Sequence, residues 1–586
     1  MHLVLLKTSG NQSYVFATNR LRENVGASEL TYQVGTQFVL EAVKKQGGPH
    51  LWSNEPKILR ENIRDKQQHI ESSETPIEVI VATAGKALLL VKDEKVGRDI
   101  ISDVTRNALQ KAPSLDICGV ISESFDWNND KIQFQLKGIH KTFDEVRSRY
   151  PHSLTRFPCL PITALCASSG LPAYTMVKDG GTEMGEAETW HETSRVSYSK
   201  QEAAEAWKAR IGKLTGSKRL VVNSISELEK YFGTVPWFAV VHADGNGLGK
   251  ILGDFDKHIG CKEELPAFNR TYVDKLRLFS LALEEASESA FCNALKELEK
   301  FKAVKEKTLP IVPLVLGGDS LTVICDGRYA LEFTRLFLNE FEEQTANNKI
   351  YDGIIPEIAK HAFNCQRLSA CAGVAIIKPH FPFHNGYRLA EELIKEAKIV
   401  TKQVQCQDKT PYPCSAMDFH VASDVSVSRL SEIREQLKVD KNRQEGHQTR
   451  LTAKPYVVTA EEKLPKADII DLSWAKQHHV TGLLARIQTL LVIDDESRRQ
   501  LPHSQVHSLR EGLFLGRDEA NGRLNLMLKR YRDFGKFLEV SPEDDNIKVE
   551  GIFRFHTDKQ ESYWETRFLD ALEAVDFWKE YYRGNT

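Results

Sequence analysis

Two stretches decide the fold: Trp237-Phe-Ala-Val-Val-His-Ala-Asp-Gly-Asn-Gly-Leu-Gly-Lys250 and Ile311-Val-Pro-Leu-Val-Leu-Gly-Gly-Asp-Ser-Leu-Thr-Val-Ile-Cys325. The first reads as a buried strand, Trp237–His242, that ends in an acidic, glycine-rich turn leading into a helix. The second reads as two apolar strands, Ile311–Leu316 and Leu321–Cys325, joined by the tight turn Gly317-Gly318-Asp319-Ser320. Helical periodicity follows at Tyr329–Glu343, a strand at Leu368–Ile377, a helix at Tyr387–Val400 and a short strand at Phe419–Val421. The order is strand, helix, hairpin, helix, strand, which is the ferredoxin-like split βαβ unit.

The same order occurs earlier in the chain. Leu3–Leu6 is a strand, helical patterns run from about Asn11 to Gly26 and over Gln33–Lys45, and Ile77–Ala82 and Ala87–Val91 flank the turn Thr83-Ala84-Gly85-Lys86. A helix at Arg98–Lys111 and a strand at Leu115–Ile121 complete the unit. This is a repeat of architecture, without an obvious repeat of sequence. The reading divides the chain into a first unit at 1–158, a linker with its own small helices at 159–235, a second unit at 236–423 and a mostly helical C-terminal region at 424–586. That region has helical patterns at Val425–Leu437, Ser473–Leu491, His503–Leu513 and Trp564–Tyr582.

The bulk properties fit an ordinary protein of several domains. The chain has 586 residues, 27% charged and 41% hydrophobic, with a net charge of -3 and a pI near 6.7. That balance disfavours a globally basic nucleic-acid binder. No stretch of about 18 uncharged apolar residues occurs, so no membrane span is expected, and MHLVLLKTSG is too short and polar for a secretory signal. Ten scattered cysteines, several inside apolar runs (Cys118, Cys325, Cys371), fit a reduced, cytoplasmic protein.

In a split βαβ unit the first strand lies beside the hairpin, so Asp244 and Asp319 project at one edge of the sheet. Taken singly, each is a plain turn residue; taken together in this strand order they form a site. Paired carboxylates suit Mg2+ or Mn2+, which are held by one or two carboxylates plus substrate phosphates. Two such ions about 4 Å apart activate a hydroxyl and neutralise a leaving pyrophosphate. Gly317 and Gly318 permit close backbone approach to a nucleotide. Gly245, Gly247 and Gly249 place N–H groups near a helix start, where phosphate is favoured.

Ala243-Asp-Gly-Asn-Gly-Leu-Gly-Lys250 and Gly317-Gly-Asp-Ser320 resemble the second palm domain of the large polymerase-like subunit of type III CRISPR effector complexes. Thr8-Ser-Gly-Asn-Gln-Ser-Tyr-Val-Phe-Ala-Thr-Asn-Arg-Leu-Arg-Glu-Asn-Val-Gly-Ala-Ser28 is similar to that family's first palm. Ala390-Glu-Glu-Leu-Ile-Lys-Glu-Ala-Lys398 and Ser415-Ala-Met-Asp-Phe-His420 are weaker matches. The resemblance implies an α+β chain of two palms, akin to GGDEF-type nucleotidyl cyclases, plus a helical C-terminal domain. It implies a nucleotidyltransferase joining ATP into a cyclic oligonucleotide messenger in antiviral defence. Partners would be subunits of an RNA-guided complex or a downstream effector reading the product. Asp244 and Asp319 would be catalytic, and the metal would be held by both together with the Gly245 carbonyl. Gly245, Asn246, Gly247, Lys250, Gly317, Gly318, Ser320 and Lys398 would bind nucleotide, Lys398 at the triphosphate.

This chain departs from the family pattern in several ways. The usual Gly-Gly-Asp-Asp is here Gly-Gly-Asp-Ser320, one carboxylate short. That keeps open a degenerate nucleotide- or RNA-binding scaffold, and the shared palm keeps open a diguanylate-type cyclase. No His-Asp dipeptide occurs, so the HD nuclease of many members is not expected. Cys166-Ala-Ser-Ser169 lacks the second cysteine of the family's zinc element, so no structural zinc is expected. The first palm's hairpin, Thr83-Ala-Gly-Lys-Ala87, carries no carboxylate; it is a platform for the acceptor nucleotide or a structural partner only. His380 and His384 lie among Pro379 and Pro382, which argue against a helical metal pair. His503 and His507 share a helical face without a third ligand. Arg450-Leu-Thr-Ala-Lys-Pro-Tyr456 mixes basic and aromatic residues but reads as a loop.

Overall fold

Leu3–Leu6 are consecutive apolar residues, and the strand they build, β1 (His2–Ser9), is buried over Leu3–Leu6 on both faces. A run without alternation requires such covering. A computed structural model describes residues 1–151, 153–178, 190–216, 235–300, 310–379, 381–406, 409–422, 429–439, 447–464, 469–470, 472–491, 502–538, 548–557 and 562–583. It is a mixed α+β chain with several sheets.

In the first sheet β1 lies between β3 (Lys86–Val91) and β4 (Asp116–Ile121), and β2 (Ile77–Thr83) is outside β3; all neighbours are antiparallel. Helices α1 (Asn11–Val15) and α2 (Leu21–Gly35), followed by helical segments at Gln37–Lys45 and Pro56–Asp65, lie between β1 and β2. Helix α3 (Glu94–Lys111) connects β3 to β4, and α4 (Ile132–Arg149) follows β4. Asp93 caps α3 by accepting from Lys95 N–H at 2.8 Å, the usual service of an aspartate at that position. The helix expected from Asn11 to Gly26 is broken at Phe16–Arg20 and continues to Gly35. Tertiary contacts override the local pattern there: Phe16 stacks on Tyr387 at 4.6 Å, and Asn19 Oδ1 accepts from Phe383 N–H at 2.8 Å.

The described part of the segment expected as a linker of small helices, residues 159–178 and 190–216, holds more than small helices. It contains an antiparallel ribbon, β5 (Ala173–Lys178) with β6 (Trp190–Ser194), and the 21-residue α5 (Arg195–Thr215). Helix α5 crosses α2 so closely that a Cβ at Gly26 would lie 1.7 Å from the Lys200 carbonyl oxygen. Gly180 and Gly181 lie outside the described residues.

The second sheet begins with β7 (Phe238–Gly245). The long helix α6 (Ala267–Leu298) leads to the hairpin β8 (Ile311–Gly317) and β9 (Ser320–Asp326), then α7 (Gly327–Thr345), β10 (Ala370–Ile377) and α8 (Phe383–Ala397). After β11 (Gln405–Cys406) comes β12 (Ala416–Ala422), parallel to β10. Gly373 on β10 leaves no room for a side chain, since its Cβ would meet Ala390 O at 2.1 Å; this lets α8 press onto the sheet. Helix α8 begins at His384's own turn, with Pro382 as its N-cap. The expectation that the prolines keep His384 out of a helix is therefore corrected: proline is tolerated at a helix start, where no intrahelical N–H bond is lost. His380 lies outside the described residues.

The two sheets share their strand order and their register. Lys7 of β1 pairs with Lys86 and with Cys118, as Asp244 of β7 pairs with Ser320 and with Cys371. Each hairpin closes on a two-residue turn, Thr83 opposite Lys86 and Gly317 opposite Ser320. The residue after each register position donates its N–H into the turn: Thr8 to Gly85 O at 2.8 Å and Gly245 to Asp319 O at 3.2 Å. The central residues at Gly85 and Gly318 have φ of 70° and 61°, a region glycine enters without steric cost.

The C-terminal region is not only helical. A five-stranded sheet joins β13 (Lys438–Val439), β14 (Gln448–Arg450), β17 (Val549–Glu550), β18 (Phe553–Thr557) and β19 (Ser562–Glu565). Strand β15 (Tyr456–Val457) adds to β12 in the second sheet, and β16 (Ile469–Ile470) pairs with β11. Strands this short carry too few residues for alternation to show. Helices α9 (Val480–Leu491), α10 (His503–Leu515) and α12 (Phe568–Arg583) fall on the expected helical patterns, α11 (Arg517–Leu528) is a helix outside them, and residues 425–428 lie outside the described set. No helix among the described residues is long and apolar enough to cross a membrane.

Candidate active site at the hairpin of the second sheet

Asp244 and Asp319 meet because β7 and β9 are neighbours. Ser320, the register partner of Asp244, donates from its hydroxyl to Asp244 Oδ1 at 3.0 Å. Lys398, just past the end of α8, places Nζ 2.5 Å from Asp244 Oδ2. Asp319 occupies the turn itself, with its backbone carbonyl tied to Gly245 N–H. Burial, then the nearby charge of Asp244, push the Asp319 carboxyl up to about 6; Lys398 opposes this only in part. Gly245 fills the gap between them: a Cβ there would sit 2.9 Å from Asp319 Cβ and 3.1 Å from its Oδ2.

The other expected residues divide into two groups. Gly317 and Gly318 form the turn, and the Gly318 carbonyl accepts from Ser287 Oγ of α6. Asn246 is buried and turned inward: its N–H donates to Ser369 O at 2.8 Å, and its amide to Ser369 Oγ at 2.9 Å and Cys414 O at 3.2 Å. Gly247 starts the helical turn Leu248–Gly253. Lys250 is exposed on that turn, and no hydrogen bond or ion pair among the described residues joins it to the carboxylates.

Several neighbours escaped the sequence reading. His242 lies two residues before Asp244 and therefore on the same face of β7. Its ring nitrogen is 3.0 Å from Thr322 Oγ1, its ring lies 5.2 Å from Tyr387, and burial lowers its pKa. Tyr387 Oη in turn accepts from Gln12 Nε2 of α1 at 2.8 Å, and Gln12 also donates to Glu391 at 2.7 Å. The first unit thus reaches within two side chains of Asp244. Behind the turn, Glu284 of α6 approaches Gly317, and burial followed by the charge of Glu288 pushes its carboxyl up to about 7. Period-two alternation could have flagged His242; nothing local marks Gln12 or Glu284.

The remaining motifs are absorbed by packing. The guanidinium of Arg450 lies 3.6 Å from the Tyr563 ring centre. Lys454 Nζ is 2.5 Å from Glu573, and Tyr456 Oη donates to Asp570 at 2.8 Å. The segment expected as a loop therefore contributes two strands and a buried polar cluster. His503 and His507 stack at 6.5 Å on α10, and no group of three or more His, Cys, Asp or Glu suited to a metal occurs among the described residues.

The donor set at the hairpin fits a hard divalent cation. Two carboxylates share one edge, and one of them is held up in pKa by the charge of the other, a repulsion that bound Mg2+ or Mn2+ relieves. Asp244, Asp319 and the Gly245 carbonyl would hold it, with substrate phosphates completing the shell.

No family model and no curated protein matches the chain. Among solved structures, the chain is similar to one in a Csm1–Csm4 cassette in complex with cA4, at 9% identity and TM-score 0.45, over 92% of this chain and 66% of that one. It is similar to a chain of an apo type III-B Cmr-beta assembly, at 12% identity and TM-score 0.48, over 100% and 82%. It is also similar to a Csm1–Csm4 cassette in complex with AMPPNP, at 10% identity and TM-score 0.41, over 91% and 64%. The chain spans between 53% and 66% of the Csm1–Csm4 chains it matches. Its structural likeness is to chains of type III CRISPR complexes of both the Csm and the Cmr kind.

Proposed function

We propose that this protein is a metal-dependent nucleotidyltransferase of two-palm type that joins ATP into a cyclic oligonucleotide. The observation that carries the reading is the convergence of Asp244, Asp319 and Lys398 at the hairpin of the second sheet. In this reading residues 1–158 and 236–423 are the palms, 159–235 joins them, and 424–586 is a C-terminal domain. One ATP is held at the second sheet and another faces it from the first. The 3′-hydroxyl oxygen of one forms a bond to the α-phosphorus of the other as the bond to pyrophosphate breaks.

Bound Mg2+ or Mn2+ supplies charge neutralisation on the phosphates and acidifies the attacking hydroxyl. The chain supplies position. Ser320 and Lys398 fix the orientation of Asp244 through its two oxygens, and Gly245 keeps a side chain out of the space beside Asp319. Lys398 also presents a cation to the triphosphate. Rate enhancement from such a site comes mainly from positioning and electrostatic stabilisation. The partners proposed are subunits of an RNA-guided complex or an effector that reads the product.

Ser320 favours a second reading. It stands where a third carboxylate would, and Lys398 already neutralises Asp244, so the site is also suited to binding nucleotide without turnover. Incubation with Mg2+ or Mn2+ and each labelled NTP, followed by chromatography, separates the readings. A cyclic adenosine product lost in Asp319→Ala supports the enzyme. No product from any NTP, with wild type matching Asp319→Ala, leaves the binding protein, and a guanosine-only product overturns the ATP assignment.

A further inference from the structure

Gln12, Phe16 and Asn19 of the first unit rest on α8, the helix that carries Lys398 at its end. Gln12 Nε2 donates to Tyr387 Oη at 2.8 Å and to Glu391 Oε1 at 2.7 Å. Phe16 stacks on the Tyr387 ring at 4.6 Å, and Asn19 Oδ1 accepts from Phe383 N–H at 2.8 Å. Phe383, Tyr387 and Glu391 follow one another at intervals of four and so form one stripe of the helix. The Tyr387 hydroxyl donates in turn to Glu391 Oε1, at 3.5 Å. The first unit thereby holds α8 along that stripe.

Tyr387 also meets the second sheet. It is buried, and its ring lies 5.2 Å from that of His242. His242 pairs with Thr322 across β7 and β9, as Asp244 pairs with Ser320, and alternation puts both pairs on one face. Each pair is tied by its side chains: His242 Nδ1 lies 3.0 Å from Thr322 Oγ1, and Ser320 Oγ donates to Asp244 Oδ1 at 3.0 Å. Two adjacent polar rungs therefore meet residues of one helix. Tyr387 packs on the first, and Lys398, 11 residues further along (398 − 387), reaches the second. Polar contacts weaken steeply beyond their normal lengths, so a small slide of α8 is felt at Asp244. Gln12 itself is exposed, yet it gives both amide protons to this one helix.

We propose that Gln12 and Tyr387 are positioning residues for the candidate site: Gln12 of the first unit, acting through the Tyr387 hydroxyl, sets where α8 lies over β7 and so where the Lys398 ammonium meets Asp244. The inference rests on the reading of Asp244, Asp319 and Lys398 as a metal- and phosphate-binding centre. It adds that the first unit acts on that centre through packing, whatever it binds itself. Neither residue has to touch substrate. A misplacement of about 1 Å is enough to cost a reaction up to about 100-fold in rate, so loss of an exposed glutamine can slow chemistry without unfolding the chain.

The test is a double-mutant cycle with two readouts. Gln12→Ala, Tyr387→Phe and the double variant are compared with wild type for turnover of labelled ATP and, without nucleotide, for Mn2+ affinity by calorimetry. Tyr387→Phe keeps the ring against Phe16 and His242 and removes only the hydroxyl. Each single variant is expected to lower kcat about tenfold with KM within about twofold. The double variant is expected to lower kcat about tenfold and not about 100-fold, because both changes remove one contact. Mn2+ affinity is expected to rise about threefold in all of them and in Lys398→Met, since Lys398 competes with the cation for Asp244. Gln37→Ala, which removes an exposed bond to Glu41 elsewhere on the first unit, is expected to change neither readout. Tm is expected to stay within about 3 °C of wild type throughout. Additive losses in the cycle, or variants that match wild type in both readouts, overturn the proposal. A wild type that binds Mn2+ without turnover overturns the enzyme reading alone, and the affinity series then decides the positioning. A wild type that neither binds Mn2+ nor turns over overturns both.

Discussion

Lys398 Nζ and Asp244 Oδ2 are 2.5 Å apart, although 154 residues separate them in the chain. The pair ties the end of α8 to the end of β7, and the charge of Lys398 opposes in part the upward shift of the Asp319 carboxyl. Lys398 is half-exposed, with 36% of its side chain accessible, so its worth to folding is small. Its worth to phosphate chemistry is not. Lys398→Met is expected to lower product formation about 100-fold or more, in line with loss of a charged group aimed at developing charge, with a Tm within about 2 °C of wild type. Lys398→Arg is expected to recover part of the rate. Labelled-NTP turnover beside differential scanning fluorimetry checks both.

The raised carboxyl of Asp319 makes metal binding pH-dependent. A ligand must be deprotonated, so below about pH 6 the proton competes with the cation. Mn2+ affinity, measured by calorimetry, is expected to be flat above pH 7 and to weaken as pH falls through 6, approaching about tenfold per pH unit. Asp319→Asn is expected to abolish binding at every pH. The same shift predicts a stability effect of opposite sense. A carboxyl raised in the folded state is unfavourable to ionise there, so folding loses stability as pH rises from its unfolded value through 6. Asp319→Asn is therefore expected to raise Tm by a few degrees at pH 8 without metal. That gain is expected to vanish below about pH 4, where the carboxyl is protonated in both states.

How much of this was legible in sequence differs from residue to residue. Asp244 and Asp319 stood out because each ends an apolar strand in a glycine turn, and the strand order then brings them together. Lys398 was reachable only through its resemblance, since a lysine near a helix end looks like a solvated one. The Lys7–Lys86 pair was hidden for another reason. Two lysines 79 positions apart (86 − 7) mean nothing until the register is known, and a one-residue slip would send one of them to the other face. The C-terminal sheet was missed because its strands are two to five residues long, and the break after Val15 because contacts from Tyr387 and Phe383 impose it.

Gly245 is expected to tolerate no side chain. A Cβ there meets Leu248 Cδ1 at 2.4 Å and Asp319 Cβ at 2.9 Å, and neither the turn nor the strand can retreat without breaking the bond from Gly245 N–H to Asp319 O. Gly245→Ala is expected to cost about 1–3 kcal/mol, as overpacking does, and to reduce Mn2+ affinity through displacement of Asp319. Gly249→Ala, where nothing lies within 4 Å of the added carbon, is the matched control and is expected to leave both unchanged. Urea denaturation and metal titration separate the two variants.

Glu78 ties the first sheet to the long helix of the second unit. It is wholly buried on β2. Burial pushes its carboxyl up, but Arg270 and Arg277 of α6 more than offset this and leave it lowered. Arg270 reaches it with two nitrogens, at 2.7 and 3.0 Å, Arg277 with a third, and Ile70 N–H donates at 3.1 Å. Both arginines also share Asp274, and Arg277 donates to Val79 O at 3.0 Å. Removing the anion strands two guanidinium groups where water cannot reach them well. Glu78→Gln is therefore expected to cost about 3–5 kcal/mol, whereas Asp274→Asn, on a one-third exposed carboxylate, should cost about 1 kcal/mol or less. Because the carboxyl is lowered, its contribution is full above the unfolded value near 4.5 and is lost as pH falls through the folded one. Wild type and Glu78→Gln should then converge in stability towards acid pH. Urea unfolding at pH 7.5 and at pH 3.5 tests this: a gap of the same size at both would show that the network contributes packing and not charge.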